Sequence, residues 1–143
     1  MQKNSIENFT LDPDLEGFYD SLTNKNTVKT LKQSLLKTHK HLKNRFIQND
    51  DIRSLIHLHS IITDLTIQYL WENNNLNKYP NITLVAVGGY GRAELHPHSD
   101  IDIMILLKDK SNTEINTNIS LFLTNLWDLG FDLGHSVRTI NEC

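Results

Sequence analysis

Two carboxylates stand one residue apart in Asp100-Ile101-Asp102, at the head of the apolar run Ile101-Asp102-Ile103-Met104-Ile105-Leu106-Leu107. Side chains alternate across a strand, so this spacing predicts both carboxylates on one face and at one end, with Ile101 and Ile103 on the other face. Neighbouring carboxylates repel each other, and a divalent cation between them resolves the conflict. Hard oxygen ligands suit Mg²⁺ or Mn²⁺. Upstream lies Gly88-Gly89-Tyr90-Gly91-Arg92, with ten residues between Gly89 and Asp100. Glycines there remove the side chains that would keep a backbone away from phosphates. Arg92 could meet a phosphate or face water. A glycine loop able to take a triphosphate, beside two metal-binding carboxylates, is the equipment that nucleotidyl transfer requires. Metal ions in such a site polarise the α-phosphate, activate the attacking oxygen and stabilise the departing pyrophosphate. The candidate catalytic and metal-ligating residues are therefore Asp100 and Asp102, and the candidate nucleotide-binding residues are Gly88, Gly89 and Arg92.

Each feature has a plainer reading. A Gly-Gly pair alone marks a turn, and Asp-x-Asp alone is a solvated strand edge. Their spacing, between the apolar runs Ile82–Val87 and Ile101–Leu107, favours the chemical reading. Glu94 reads as a loop-stabilising residue in preference to a third ligand. His96-x-His98 has no Cys or His partner at a zinc spacing. Ser99 has no base placed for it and reads as fixing the loop ahead of the strand.

Helices must position this core. Val28, Leu31, Leu35, Leu42 and Phe46 recur near a helical period over residues 25–48, with His39 breaking the stripe. No acidic residue lies between Ser21 and Asn49, whereas seven of the 14 Lys and Arg do. No aromatic residues interleave them, so the segment reads as a solvated helix face and not a nucleic-acid surface. Asp50-Asp51 can cap a second helix, which runs to about Trp71 with Ile52, Leu55, Ile56, His59, Ile62, Leu65, Tyr69 and Leu70 on a broad face. After the second strand, Thr113–Leu129 reads as a helix stopped by Gly130. Phe131–Val137 is a third strand candidate. Residues 1–24 are polar and interrupted by Pro13 and Gly17, an irregular lead-in with a short helix candidate over Leu15–Leu22.

At 143 residues with 38% hydrophobic content, the chain can bury one ordinary core. Its net charge of −3 gives no general attraction to nucleic acid. The one cysteine, Cys143, allows no disulfide within the chain and suits a reducing cytoplasm. The amino terminus lacks the apolar core of a signal peptide, and no run reaches the length of a membrane span.

The pattern apolar-Gly-Gly, ten residues, Asp-apolar-Asp-apolar resembles the signature of the nucleotidyltransferase superfamily. The longer string Gly88-Gly89-Tyr90-Gly91-Arg92-Ala93-Glu94-Leu95-His96-Pro97-His98-Ser99-Asp100-Ile101-Asp102 is narrower, and so is the block Gly134-His135-Ser136-Val137-Arg138-Thr139. Both are similar to the amino-terminal part of the bacterial PII uridylyltransferase/uridylyl-removing family, which usually has glycine where Ala93 stands. The resemblance implies an α/β (α+β) nucleotidyltransferase-superfamily fold, with amino-terminal helices followed by a small mixed sheet. Residues 25–143 would form a partial domain, with helices over 25–48 and 51–73 and a motif core over 82–107. It implies transfer of UMP from UTP to a tyrosine of the PII signalling protein, dependent on Mg²⁺ or Mn²⁺, in cytoplasmic nitrogen and glutamine signalling, with no nucleic-acid or membrane partner. An adenylyltransferase, or a remnant that binds nucleotide or a partner without turnover, stands as the alternative. Members of the family are several times longer, so little turnover is expected from the chain alone. The superfamily often adds a third carboxylate on a later strand. Asp132 is the one candidate here, with a surface role open beside it, and Arg138 could contact phosphate or the protein substrate.

Overall fold

The computed structural model describes residues 13–23, 27–48, 51–92, 100–110 and 112–143. The chain forms two compact units, residues 1–55 and 56–143, and the division falls inside a helix.

In the first unit, helix α1 (Pro13–Thr23) lies against helix α2 (Val28–Ile47). The short helix read from sequence over Leu15–Leu22 is thus part of a helix of 11 residues. Proline at the first helical position loses no hydrogen bond, and Gly17 faces open space. Leu15 and Phe18 are fully buried, as are Leu31 and Leu35 of α2. Thr38 continues the α2 stripe where the apolar pattern skips, because its hydroxyl donates to the Ser34 carbonyl at 2.8 Å and is satisfied within the helix. Burial holds the pKa of His39 below its ordinary value. Lys29, Lys32, Lys37, Lys40 and Lys43 are exposed. Asp51 caps helix α3 (Ile52–Asn73), its carboxylate accepting from the Arg53 amide at 3.2 Å and the Ser54 hydroxyl at 3.0 Å. Lys25, Asp50 and the Phe46 side chain lie outside the described residues.

The second unit holds the rest of α3 and a 3₁₀ turn (Leu76–Lys78). Then come strand β1 (Ile82–Val87), the one-turn helix α4 (Gly88–Gly91), strand β2 (Ile101–Leu107), helix α5 (Thr113–Asp128) and strand β3 (Leu133–Thr139). A further 3₁₀ turn, Ile140–Glu142, closes the chain. The sheet order is β1-β2-β3, with β1 antiparallel and β3 parallel to β2. A parallel neighbour requires a crossover, which α5 supplies. Asn112 caps α5 by accepting from the Ile115 amide at 2.9 Å. Gly130, at φ +91°, ends the segment as the sequence reading expects. β3 starts two residues later than expected, which leaves Asp132 ahead of it.

β2 alternates strictly. Ile101, Ile103, Ile105 and Leu107 are buried, while Asp102, Met104 and Leu106 are half-buried. The buried row joins the core of this unit with Ile62, Ile67 and Leu70 of α3 and Ile119, Phe122 and Leu126 of α5. Trp71 meets Phe122 edge to face at 5.3 Å. Among the described residues no helix is long and apolar enough to cross a membrane. The fold is the mixed arrangement of helices and a small sheet that the resemblance implies.

Candidate functional site

The register places Asp102 opposite Val87 of β1 and opposite Gly134 of β3. Its carboxylate therefore stands in the central strand, on the less buried face of the sheet, at the end where β1 runs into the glycine turn. Asp100 immediately precedes β2 and is exposed. The two candidate ligands thus occupy the same end of β2, and Ile101 and Ile103 are each 2% exposed on the opposite face. Alternation produces this locally. A one-residue slip would bury both carboxylates and expose the isoleucines, so the apolar row fixes the register.

Residues Gly88–Gly91, the start of the glycine loop read from sequence, form a helical turn. Gly88 opens it at φ +62°, a conformation that costs L-residues about 1–2 kcal/mol. A Cβ at Gly88 would also stand 3.0 Å from Asp102 Oδ2, and one at Gly91 would stand 2.7 Å from the Ala86 carbonyl oxygen. The turn therefore folds tightly onto the end of β1 and beside the Asp102 carboxylate. Gly89 is half-buried and Arg92 is exposed at the end of the turn.

Tyr90 anchors this turn. It is 7% exposed, and its hydroxyl donates to Asp64 Oδ1 of α3 at 2.6 Å. Desolvation pushes the Asp64 carboxyl above the usual carboxylate range, and the hydrogen bond from Tyr90 draws it partly back. Asp64 as a whole is exposed, so solvent screening keeps the energetic consequence small. The Tyr90 hydroxyl is pushed up by burial first and then by the nearby Asp64 charge. Sequence reasoning does not single out either residue. They are 26 positions apart, and no local period links them.

Asp132 is exposed ahead of β3, and its carbonyl accepts from the Ile101 amide at 2.8 Å. Its backbone thus ties the entrances of β2 and β3 together. The residue that β3 sets opposite Asp102 is Gly134, not Asp132. Arg138 is exposed four residues farther along β3, about 13 Å away at ordinary strand rise. Ala93, Glu94, His96, His98 and Ser99 lie outside the described residues. Among the described residues no group of three or more His, Cys, Asp or Glu gathers to hold a metal. Two carboxylates nevertheless fit the way Mg²⁺ is usually held, through one or two carboxylates with substrate phosphates and waters completing the shell. The Asp102 carboxylate moreover lies beside the backbones of Gly88 and Gly134, where neither residue has a side chain to crowd it.

A family model described as a nucleotidyltransferase domain matches residues 70–135. This stretch contains the end of α3, the glycine turn, both carboxylates and the start of β3. The chain is 44% identical over 124 residues, 87% of its length, to the bifunctional uridylyltransferase/uridylyl-removing enzyme of Photobacterium profundum. It is 47% identical over 116 residues, 81% of its length, to the same-named enzyme of Vibrio parahaemolyticus. A Pseudomonas putida relative of that name is 43% identical over 116 residues, again 81% of the chain. The chain spans 14% of the first of these relatives and 13% of the other two. No solved structure matches it.

Proposed function

From a chain that carries a nucleotidyltransferase domain over residues 70–135 and is related along most of its length to bifunctional uridylyltransferase/uridylyl-removing enzymes, we propose that it forms part of the transferase domain of such an enzyme. The reaction is transfer of UMP from UTP to a tyrosine of the PII signalling protein, in cytoplasmic nitrogen and glutamine signalling. The observation that carries this reading is the placement of Asp100 and Asp102 at one end of β2, with the Asp102 carboxylate against the turn that begins at Gly88.

Asp100 and Asp102 would hold Mg²⁺ or Mn²⁺ together with the phosphates of UTP. When bound, the ion supplies Lewis-acid stabilisation of charge on the phosphates. Gly88 and Gly89 leave the turn bare where a triphosphate would approach. Arg92 offers an exposed guanidinium at the end of that turn, suited to a phosphate oxygen. Tyr90, held by Asp64, keeps the turn in place while the nucleotide binds. Positioning of this kind can supply roughly 7–11 kcal/mol of a barrier. The exposed lysines of α2 belong to a solvated helix face in this reading, and no nucleic-acid or membrane partner is involved.

The test is transfer from labelled UTP and labelled ATP, each with and without PII protein. Label from UTP appearing on a PII tyrosine supports the proposal. Preferential use of ATP would favour an adenylyltransferase instead. Metal-dependent UTP binding with little transfer is the result expected of the chain alone, and absence of metal-dependent UTP binding would contradict the proposal.

A further inference from the structure

Gly134 lies inside a strand, where glycine weakens pairing and often marks a close approach by another group. Its backbone does not demand glycine. Among the described glycines only Gly88 and Gly130 have positive φ. The reason for a glycine at 134 is therefore sought in space and not in conformation. A Cβ built there would land on Asp102 Oδ1, with Asp102 Cγ next at 3.5 Å and the Ile101 carbonyl oxygen at 3.9 Å. Gly17 and Gly130 by contrast have nothing within 4 Å of such an atom. From the other flank, a Cβ at Gly88 would stand 3.0 Å from Asp102 Oδ2. The carboxylate thus lies in a notch between two glycine backbones, one oxygen toward β3 and the other toward the turn after β1.

We propose that Gly134 is a positioning residue for Asp102: the missing side chain on β3 leaves the notch that sets the direction in which this carboxylate meets a metal–nucleotide. The proposal rests on the reading of Asp102 as a metal ligand. It ties the Gly-His-Ser-Val-Arg-Thr block to the glycine turn through shared space, with no side chain of its own. The atom in the way of a larger residue is the end of a short, rotatable side chain. Alanine at 134 is therefore accommodated by turning the carboxylate aside, so its effect falls on ligation more than on folding.

The experiment titrates the full chain with Mn²⁺ and UTP, in wild type, Gly134→Ala, Asp102→Asn and the Gly134→Ala/Asp102→Asn double variant. Thermal unfolding of each is recorded alongside. Gly134→Ala is expected to stay folded and to lower Mn²⁺–UTP affinity about 10–100-fold, the usual effect of removing support from a metal ligand. In the Asp102→Asn background it should cause no further loss, because the oriented charge is already gone. A folded Gly134→Ala protein with wild-type affinity, or an equal loss in both backgrounds, overturns the proposal while the metal reading survives through the Asp102→Asn loss. Wild-type affinity in Asp102→Asn overturns the metal reading and this proposal together. Should Gly134→Ala fail to fold, Asp102→Ala is added to it. Recovery of folding shows that the two side chains compete for one space, and no recovery shows that they do not.

Discussion

In α2 the side chains sort as a helix in water sorts them. Leu31, Leu35 and Leu42 are buried, and the lysines between them are exposed. At the end of β2 that sorting gives way. A carboxylate is half-buried in the central strand, a glycine interrupts the strand beside it, and a left-handed residue opens the turn that follows β1. Glycine within a strand costs roughly 0.5–1 kcal/mol relative to alanine. A scaffold satisfies its local preferences, whereas a site departs from several at once, and the departures point at one atom group. Here that group is the Asp102 carboxylate.

The contrast can be broken most severely in the scaffold itself. Phe122 is fully buried against Trp71. Phe122→Ala should destabilise the second unit by about 3–5 kcal/mol, visible as a large fall in the denaturation midpoint. A fall below about 1 kcal/mol would mean that the core relaxes around the cavity.

Gly88→Ala comes next and probes the site side. The left-handed backbone should cost about 1–2 kcal/mol, and the added methyl presses on Asp102. Reduced Tm together with weaker Mn²⁺–UTP binding is expected. Unchanged values of both would show that the turn tolerates an ordinary residue.

Tyr90→Phe removes one hydrogen bond and should cost about 1 kcal/mol. It also removes the interaction that pulls Asp64 down, so the Asp64 carboxyl should titrate at higher pH in this variant, as followed by carboxyl NMR. The sign for stability follows from the raised folded pKa. The Asp64 contribution is present below the ordinary carboxylate value and is lost as pH rises through the raised one. Asp64→Asn, which keeps an acceptor for the tyrosine, should flatten that loss.

The smallest effect belongs to the helical pair. Burial lowers the pKa of His39, so its folded form resists protonation. Stability is complete above the ordinary histidine value and declines as pH falls below it toward the depressed folded value. His39→Gln should reduce this slope in an acid titration of unfolding. An unchanged slope would place its cause elsewhere.

Much of this was legible in the sequence because it is local. Alternating isoleucines announce β2, and Gly130 marks the end of the α5 segment. The paired carboxylates stand out through their spacing from the glycines and the apolar runs around them. What escaped depends on register between distant segments. Nothing near Tyr90 names Asp64 as its partner, and nothing near Asp132 shows that β3 begins beyond it and presents Gly134 to Asp102 instead. Glycine in an otherwise β-rich block was the available signal for close approach. The extent of the helix over Pro13–Thr23, read from sequence only as a short piece over Leu15–Leu22, was obscured for another reason. Pro13 and Gly17 read as interruptions, yet one occupies a position where proline is tolerated and the other faces open space.

The central claim is that the end of β2 holds a metal–nucleotide through its two carboxylates. It is tested most directly by calorimetric titration of UTP in the presence and absence of Mn²⁺, in wild type and Asp102→Asn, with folding of both confirmed by circular dichroism. Metal-dependent UTP binding in wild type, weakened at least about tenfold in the folded variant, is the predicted result, a loss of about 1.4 kcal/mol or more. Equal metal-dependent affinity in the two proteins would contradict it.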